Sequence, residues 1–182
     1  MGFQFAQGPF EGMVLVQPEV RNDHRGSFWE SFKASVFAEA GIEGPFVQEN
    51  QSQSHRGVLR GIHYQTGPWA QGKLIRVLQG SIWDLAVDLR SGSPTYGRWA
   101  GVELSAESRT MMYLPPGLGH GFLALSYQAE VLYLCTREYR AESEGGVRWN
   151  DPTLAIEWPV VPGGFVVSEK DGALPFLTEA LK

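Results

Sequence analysis

Short runs of alternating apolar and polar residues, broken repeatedly by glycine or proline, constrain this chain more than any other feature. The clearest run is Ile82 to Arg90. Trp83, Leu85, Val87 and Leu89 fall on one face, and Ile82, Asp84, Ala86, Asp88 and Arg90 on the other. A period of two is that of a half-buried strand. Leu74–Leu78 precedes this run, and the intervening Gln79-Gly80-Ser81 predicts a hairpin turn. Similar strands are expected over Met13–Val16, Ser27–Phe32, Val47–Ser52, Trp99–Leu104, Thr110–Leu114, Gly121–Ser126 and Glu130–Thr136. Turn clusters such as Ser91-Gly92-Ser93-Pro94 and Pro115-Pro116-Gly117 separate them. Helices are expected only at Ala34–Ala40, stopped by Gly41, and near Leu177–Leu181. With 22 glycines and 11 prolines spread along the chain, the pattern is that of an all-β closed sandwich or barrel of the jelly-roll kind.

At 182 residues and 43% hydrophobic, the chain is expected to form one domain over residues 1–182 with a sizeable core. A net charge of −5 and a pI of about 5.4 argue against nucleic acid as a partner. Arg25, Arg60, Lys73 and Arg76 still allow a local basic pocket for a small anion. The single cysteine, Cys135, lies in the apolar run Val131–Cys135, which predicts a core thiol and suits a reducing cytoplasm. The N-terminus lacks the basic and long apolar regions of a signal peptide. The segment Thr110–Ala129 is almost uncharged, but Pro115 and Pro116 bar it from forming a membrane helix. A cytoplasmic protein with no membrane contact is expected.

Small ligands of such barrels sit in the mouth, so polar residues interrupting apolar strands are the ones to weigh. They fall in four regions: Asp23–Glu30; Gln48–Ser52 leading to Arg60, His63 and Lys73; Gly119–Phe122; and Glu130, Tyr133 and Tyr139 with the later Asp171. A metal site wants clustered imidazoles, but His63 is followed by Tyr64 and Gln65, and Lys73 adds a repelling cation. No metal is expected, and a metal-dependent cupin oxygenase is disfavoured. Without one, histidine is the natural general base and lysine can stabilise an oxyanion. A tyrosine can return a proton from the opposite face. Together they suit proton abstraction next to a carbonyl. Plainer roles compete: His63 as a hydrogen-bonded core histidine, Arg60 and Lys73 on a solvated strand face, Tyr133 as a packing aromatic, and Asp171 as a surface carboxylate. His24 and His55 are expected at the surface. Arg60 and His63 also have opposite parity, and share a cavity only if Gly61 permits a bulge.

The runs Gly57–Gln65 (GVLRGIHYQ), Gln71–Val77 and Val87–Arg90 closely resemble the dTDP-4-dehydrorhamnose 3,5-epimerase family. So do Leu114–Gly117 with His120-Gly121-Phe122, Ala129–Tyr133, and Trp149–Pro152 with Ile156–Pro159. The resemblance runs from about Val14 to Asp171 in the family's order and spacing, and it is the ordered set that is specific.

The resemblance implies a cupin-type jelly roll with a few short helices, usually a homodimer, needing no metal or organic cofactor. It implies inversion of C3 and C5 in a 4-keto-6-deoxy sugar carried on thymidine diphosphate. Position by position, His63 matches the general base and Asp171 its carboxylate partner. Lys73 matches the residue beside the 4-keto oxygen, and Tyr133 the proton donor, with Tyr139 as a rival. Arg60 and Arg25 resemble the diphosphate contacts. Phe28, Glu30, Gln48 and Asn50 resemble the nucleotide-binding set, and His120 and Tyr139 the sugar pocket. The N-terminal part of one subunit is expected to contribute to its neighbour's site. A relative that inverts only one carbon shares these motifs, so they do not separate the two activities. A catalytically inactive sugar-nucleotide binding module would lack the base or the lysine, and both are present.

Overall fold

The computed structural model describes residues 2–42 and 44–180. In chain order the elements are β1 (Phe3–Gln7), β2 (Val14–Pro18), β3 (Arg21–Asp23), β4 (Gly26–Phe28), α1 (Ala34–Glu39), β5 (Gln48–His55) and β6 (Val58–Gln65). Then come β7 (Lys73–Gln79), β8 (Ser81–Asp88), β9 (Trp99–Ser105), β10 (Met111–Leu114), β11 (Leu118–Ala124) and β12 (Gln128–Cys135). The chain closes with β13 (Glu144–Gly146), β14 (Val166–Val167), α2 (Glu169–Gly172) and α3 (Leu177–Ala180). One six-stranded sheet runs β1-β2-β10-β7-β12-β5; the other runs β13-β6-β11-β8-β9, with β14 pairing alongside β6. β3 and β4 form a separate ribbon. Two facing antiparallel sheets linked by strands that cross between them make a cupin-type jelly roll.

The space between the sheets is apolar over most of its length. Ile75, Val77, Met112 and Leu114 from one sheet meet Ile82, Ala86, Leu104, Phe122 and Ala124 from the other. The outer face of the first sheet is capped by α1, whose Phe37 packs with Val14, Val16, Ile42, Leu74 and Met111. The outer face of the second is covered by the C-terminal stretch, with Val147, Leu154 and Leu177 against Ile62, Leu85 and Val87. Both faces of β8 are therefore buried. Its outward Trp83, Leu85 and Val87 meet this cover, and its inward face carries Asp84.

Several expectations shift. Gln79–Ser81 is not a hairpin turn, because β7 and β8 lie in different sheets. Gly80 instead turns the chain from one sheet to the other at φ +73°, with no room for a Cβ against Gln128 and Ser126. The strand expected over Ser27–Phe32 is confined to Gly26–Phe28. Trp29 then lies beneath the Arg109 guanidinium, and Phe32 packs edge-on against Phe37 and Phe46. β11 begins three residues earlier than expected, since Gly119 hid the alternation. The first helix stops before Gly41, at φ +80°. The last helix is present, and Leu181 of its expected span lies outside the described residues. No helix among the described residues is long and apolar enough to cross a membrane.

Candidate active site

At one end of the jelly roll the inward-facing residues turn from apolar to polar. On β7 the inward series Val77, Ile75 ends in Lys73; on β12 it runs Ala129, Val131, Tyr133, Cys135; on β5 it is Ser54, Ser52, Asn50, Gln48. From the other sheet come His63, His120 and Phe122. The resulting cavity of about 480 Å³ is lined by Gln48, Asn50, Arg60, His63, Lys73, His120, Tyr133, Tyr139 and Asp171, all singled out from sequence. Glu144 and Lys170 join them, together with glutamines and Tyr64. Sequence reasoning missed Glu144 because it sits in a loop-like AESEGG run with no parity to read. Lys170, adjacent to Asp171 in the SEKD segment, was within reach.

A bulge solves the parity problem of Arg60 and His63. His63 pairs with His120 and Arg60 with Phe122, so three steps on β6 oppose two on β11. The extra residue is accommodated at Gly61, with φ +113°. A Cβ there would stand 2.6 Å from Gly121 Cα and 2.7 Å from His120 O, so only glycine fits. Arg60 then enters the cavity at one end, its Nε donating to Ser54 Oγ (3.1 Å).

β14 pairs in parallel with Val58 and Leu59 of β6, which carries the chain back beneath the bulge. Ser168 follows and accepts a hydrogen bond from the Asp171 N–H (3.1 Å), capping α2. Asp171, expected at the surface on position alone, is 5% exposed. Its Oδ1 lies 2.8 Å from His63 Nε2, and its Oδ2 accepts from the Gly61 N–H at 3.2 Å. Burial raises the pKa of this carboxyl, but the His63 hydrogen bond and charge, then Gly61 and Ser168, bring it below its ordinary value overall. Asp171 is thus an anion that fixes the imidazole. The other ring nitrogen, Nδ1, is turned toward Glu144 Oε1 at 3.4 Å. Glu144 also accepts from Tyr139 Oη (2.8 Å) and from Lys170 Nζ (2.7 Å).

Lys73 is 8% exposed, and its Nζ contacts the His63 carbonyl at 3.4 Å. Burial lowers its pKa against the opposing influence of Cys135, Asp84 and Glu144. Burial raises the Tyr133 pKa, so its hydroxyl keeps its proton through neutral pH. His120 lies edge-on to Tyr133 and bonds Asp84 through Nε2 at 2.6 Å. Gln48 accepts from the Tyr139 backbone N–H and donates to Asn50, tying that rim together. Among the described residues, no three of His, Cys, Asp and Glu are grouped to hold a metal ion.

Three residues matched to the substrate set are not brought to this cavity. Arg25 and Phe28 belong to the β3–β4 ribbon, and Glu30 follows it. Arg25 is exposed and paired with Asp23 (2.6 Å), and Phe28 is 63% exposed. The ribbon pairs with neither main sheet, so within one chain it leaves them apart from the site.

A jelly roll with a histidine–aspartate pair, a buried lysine and a protonated tyrosine in one cavity defines an epimerase-type isomerase site. The chain belongs to the dTDP-4-dehydrorhamnose 3,5-epimerase family, whose model matches residues 7–179. It is 48% identical to the dTDP-4-dehydrorhamnose 3,5-epimerase of Methanothermobacter thermautotrophicus over 93% of this chain and 91% of that one. Its fold matches the Legionella pneumophila dTDP-6-deoxy-D-glucose-3,5-epimerase solved in complex with dTDP-4-keto-L-rhamnose. The TM-score is 0.93 at 43% identity, covering 97% of this chain and 94% of that one. It also matches a 3′-monoepimerase from Streptomyces bikiniensis in complex with dTDP-quinovose, at TM-score 0.89 and 40% identity, over 95% and 87% of the two chains.

Proposed function

We propose that this protein inverts C3 and C5 of dTDP-4-keto-6-deoxyglucose to give dTDP-4-keto-L-rhamnose. The observation that carries the reading is the His63–Asp171 pair, at 2.8 Å, in one cavity with Lys73 and Tyr133. With Nε2 held by Asp171, His63 Nδ1 takes the proton from the carbon next to the ketone. Asp171 and the neighbouring Glu144 stabilise the imidazolium that forms. Lys73 supports the enolate oxygen as a point charge. Tyr133 returns a proton from the opposite face. Because the 4-keto group acidifies both neighbouring C–H bonds, one base and one acid serve both carbons. No electrons leave the substrate, so the chemistry asks for no redox cofactor, and Lys73 supplies the positive charge that the enolate oxygen needs.

Arg60 suits the diphosphate, where a guanidinium fork matches phosphate oxygens. Gln48 and Asn50 hold the nucleotide, and His120 and Tyr139 the sugar end. Arg25, Phe28 and Glu30 serve a neighbouring subunit's cavity, which makes the homodimer the working unit. The single domain works in the cytoplasm.

Incubation with dTDP-4-keto-6-deoxyglucose, followed by NMR of the product, tests this reading. The expected product is inverted at both carbons. Inversion at one carbon alone favours the single-site activity that the Streptomyces bikiniensis relative carries in its name. A His63→Ala variant is expected to bind dTDP and to lose turnover. Near-normal turnover in that variant would refute the assignment of the base.

A further inference from the structure

His63 and His120 are direct partners across β6 and β11, and each gives its Nε2 to an aspartate. The mechanism above uses only the first pair. In the second, Asp84 is fully buried on the inward face of β8, with Oδ1 at 2.6 Å from His120 Nε2. Its Oδ2 is also buried and has no hydrogen-bond partner among the described residues. A carboxylate in such a place is disfavoured unless nearby positive charge offsets the loss of its hydration. A purely packing role would be served more cheaply by an apolar side chain of similar size.

Two groups that line the reaction cavity feel Asp84. His120 is one, held through Nε2 by Asp84, which does not itself line the cavity. The other is Lys73. The groups facing Lys73 are Cys135 from β12, Asp84 from β8, Glu144 from β13 and the His63 carbonyl from β6, with His120 on β11 beyond. Asp84 is the one fully buried carboxylate among them.

We propose that Asp84 is a positioning residue for the epimerisation: it fixes the orientation and tautomer of His120 and brings a buried negative charge up to the cavity that His120 and Lys73 line. The inference rests on the epimerase reading and deepens it. Asp84 touches no reacting atom; it acts through the imidazole and the ammonium that face the developing enolate. Replacing the carboxylate by an amide loosens the first contact. An Asn can accept through Oδ1 or donate through Nδ2, so it no longer holds the His120 proton on Nε2 as an anion does. The same change removes the charge that opposes the burial of Lys73, so its ammonium is lost at lower pH.

Asp84→Asn, close in shape, is the test. Expected are a fall in kcat on the order of 10²-fold with KM nearly unchanged and a shift of the alkaline limb of the kcat profile to lower pH. A His120→Gln background should remove much of the kcat effect while retaining the pH shift. An Asp84→Asn enzyme with wild-type kcat and an unmoved alkaline limb would overturn the proposal. So would a fall in kcat with no shift in the limb, the signature of a structural role. Should the variant fail to fold, ¹H–¹⁵N spectra of histidine-labelled wild-type protein decide. His120 is expected to carry a proton on Nε2, and a proton on Nδ1 alone would contradict the proposal. These spectra need no turnover, so they separate a failure of this inference from a failure of the epimerase reading.

Discussion

At the scale of single residues, burial sets the protonation states that the chemistry needs. Asp171 is held below its ordinary value of 3.8 despite burial, because His63, Gly61 and Ser168 favour the anion. Its contribution to stability is therefore present above that ordinary value and is lost as pH falls through the lower folded one. Asp171→Asn should cut kcat by about 10²–10⁴-fold, with dTDP affinity retained; steady-state kinetics and calorimetric binding check it. Lys73 and Tyr133 are both perturbed by burial, in opposite directions. An alkaline fall in kcat is therefore expected from Lys73, whose pKa burial lowers, rather than from Tyr133, whose pKa burial raises. Tyr133→Phe should lower kcat and leave the alkaline limb of the pH profile in place. A limb that disappears with the tyrosine would reverse the assignment. Tyr139 is half exposed and already donates to Glu144, which makes it the weaker rival as proton donor.

At the scale of elements, the strands were legible because alternation reports which face is buried, and the polar residues on the inward faces became the cavity. The turns between sheets were not legible. Gly80 follows β7 and precedes β8 as a hairpin glycine would, and only long-range pairing with β10, β11 and β12 assigns the two strands to different sheets. Likewise Asp171 lies 108 residues from His63, and the parallel pairing of the two-residue β14 that returns it carries almost no local signal. The bulge at Gly61 was legible only as a necessity, from the clash between parity and shared chemistry. Gly61→Ala should destabilise the fold by roughly 2–4 kcal/mol through positive φ and the clash with Gly121, read as a lower midpoint in thermal or urea melts. A melt within error of wild type would mean that β6 relaxes without the bulge. A different element, the loop after β8, is pinned by Asp88, which accepts from Arg90, Ser93 and Thr95. Asp88→Ala should cost roughly 1–3 kcal/mol by removing the acceptor that Arg90, Ser93 and Thr95 share, measured in the same way.

At the scale of the whole molecule, the cavity and the β3–β4 ribbon are separate parts of one chain. The resemblance set Arg25, Phe28 and Glu30 among the substrate contacts and had the N-terminal part of one subunit contribute to its neighbour's site. If the ribbon completes a neighbour's cavity, two inactive variants should rescue each other. Mixed and reassembled Arg25→Ala and His63→Ala chains should regain about a quarter of the wild-type sites, since half the dimers carry one intact site. No rescue would place the ribbon outside the active site.

Epimerisation at this site depends on His63 removing protons next to a ketone. Its most direct test is to incubate the enzyme with dTDP-4-keto-6-deoxyglucose in D₂O and locate deuterium by NMR. The expected result is label at both C3 and C5 with the wild-type protein and at neither with His63→Ala. Label appearing at the wild-type rate without His63, or no label at either carbon with the intact enzyme, would contradict it.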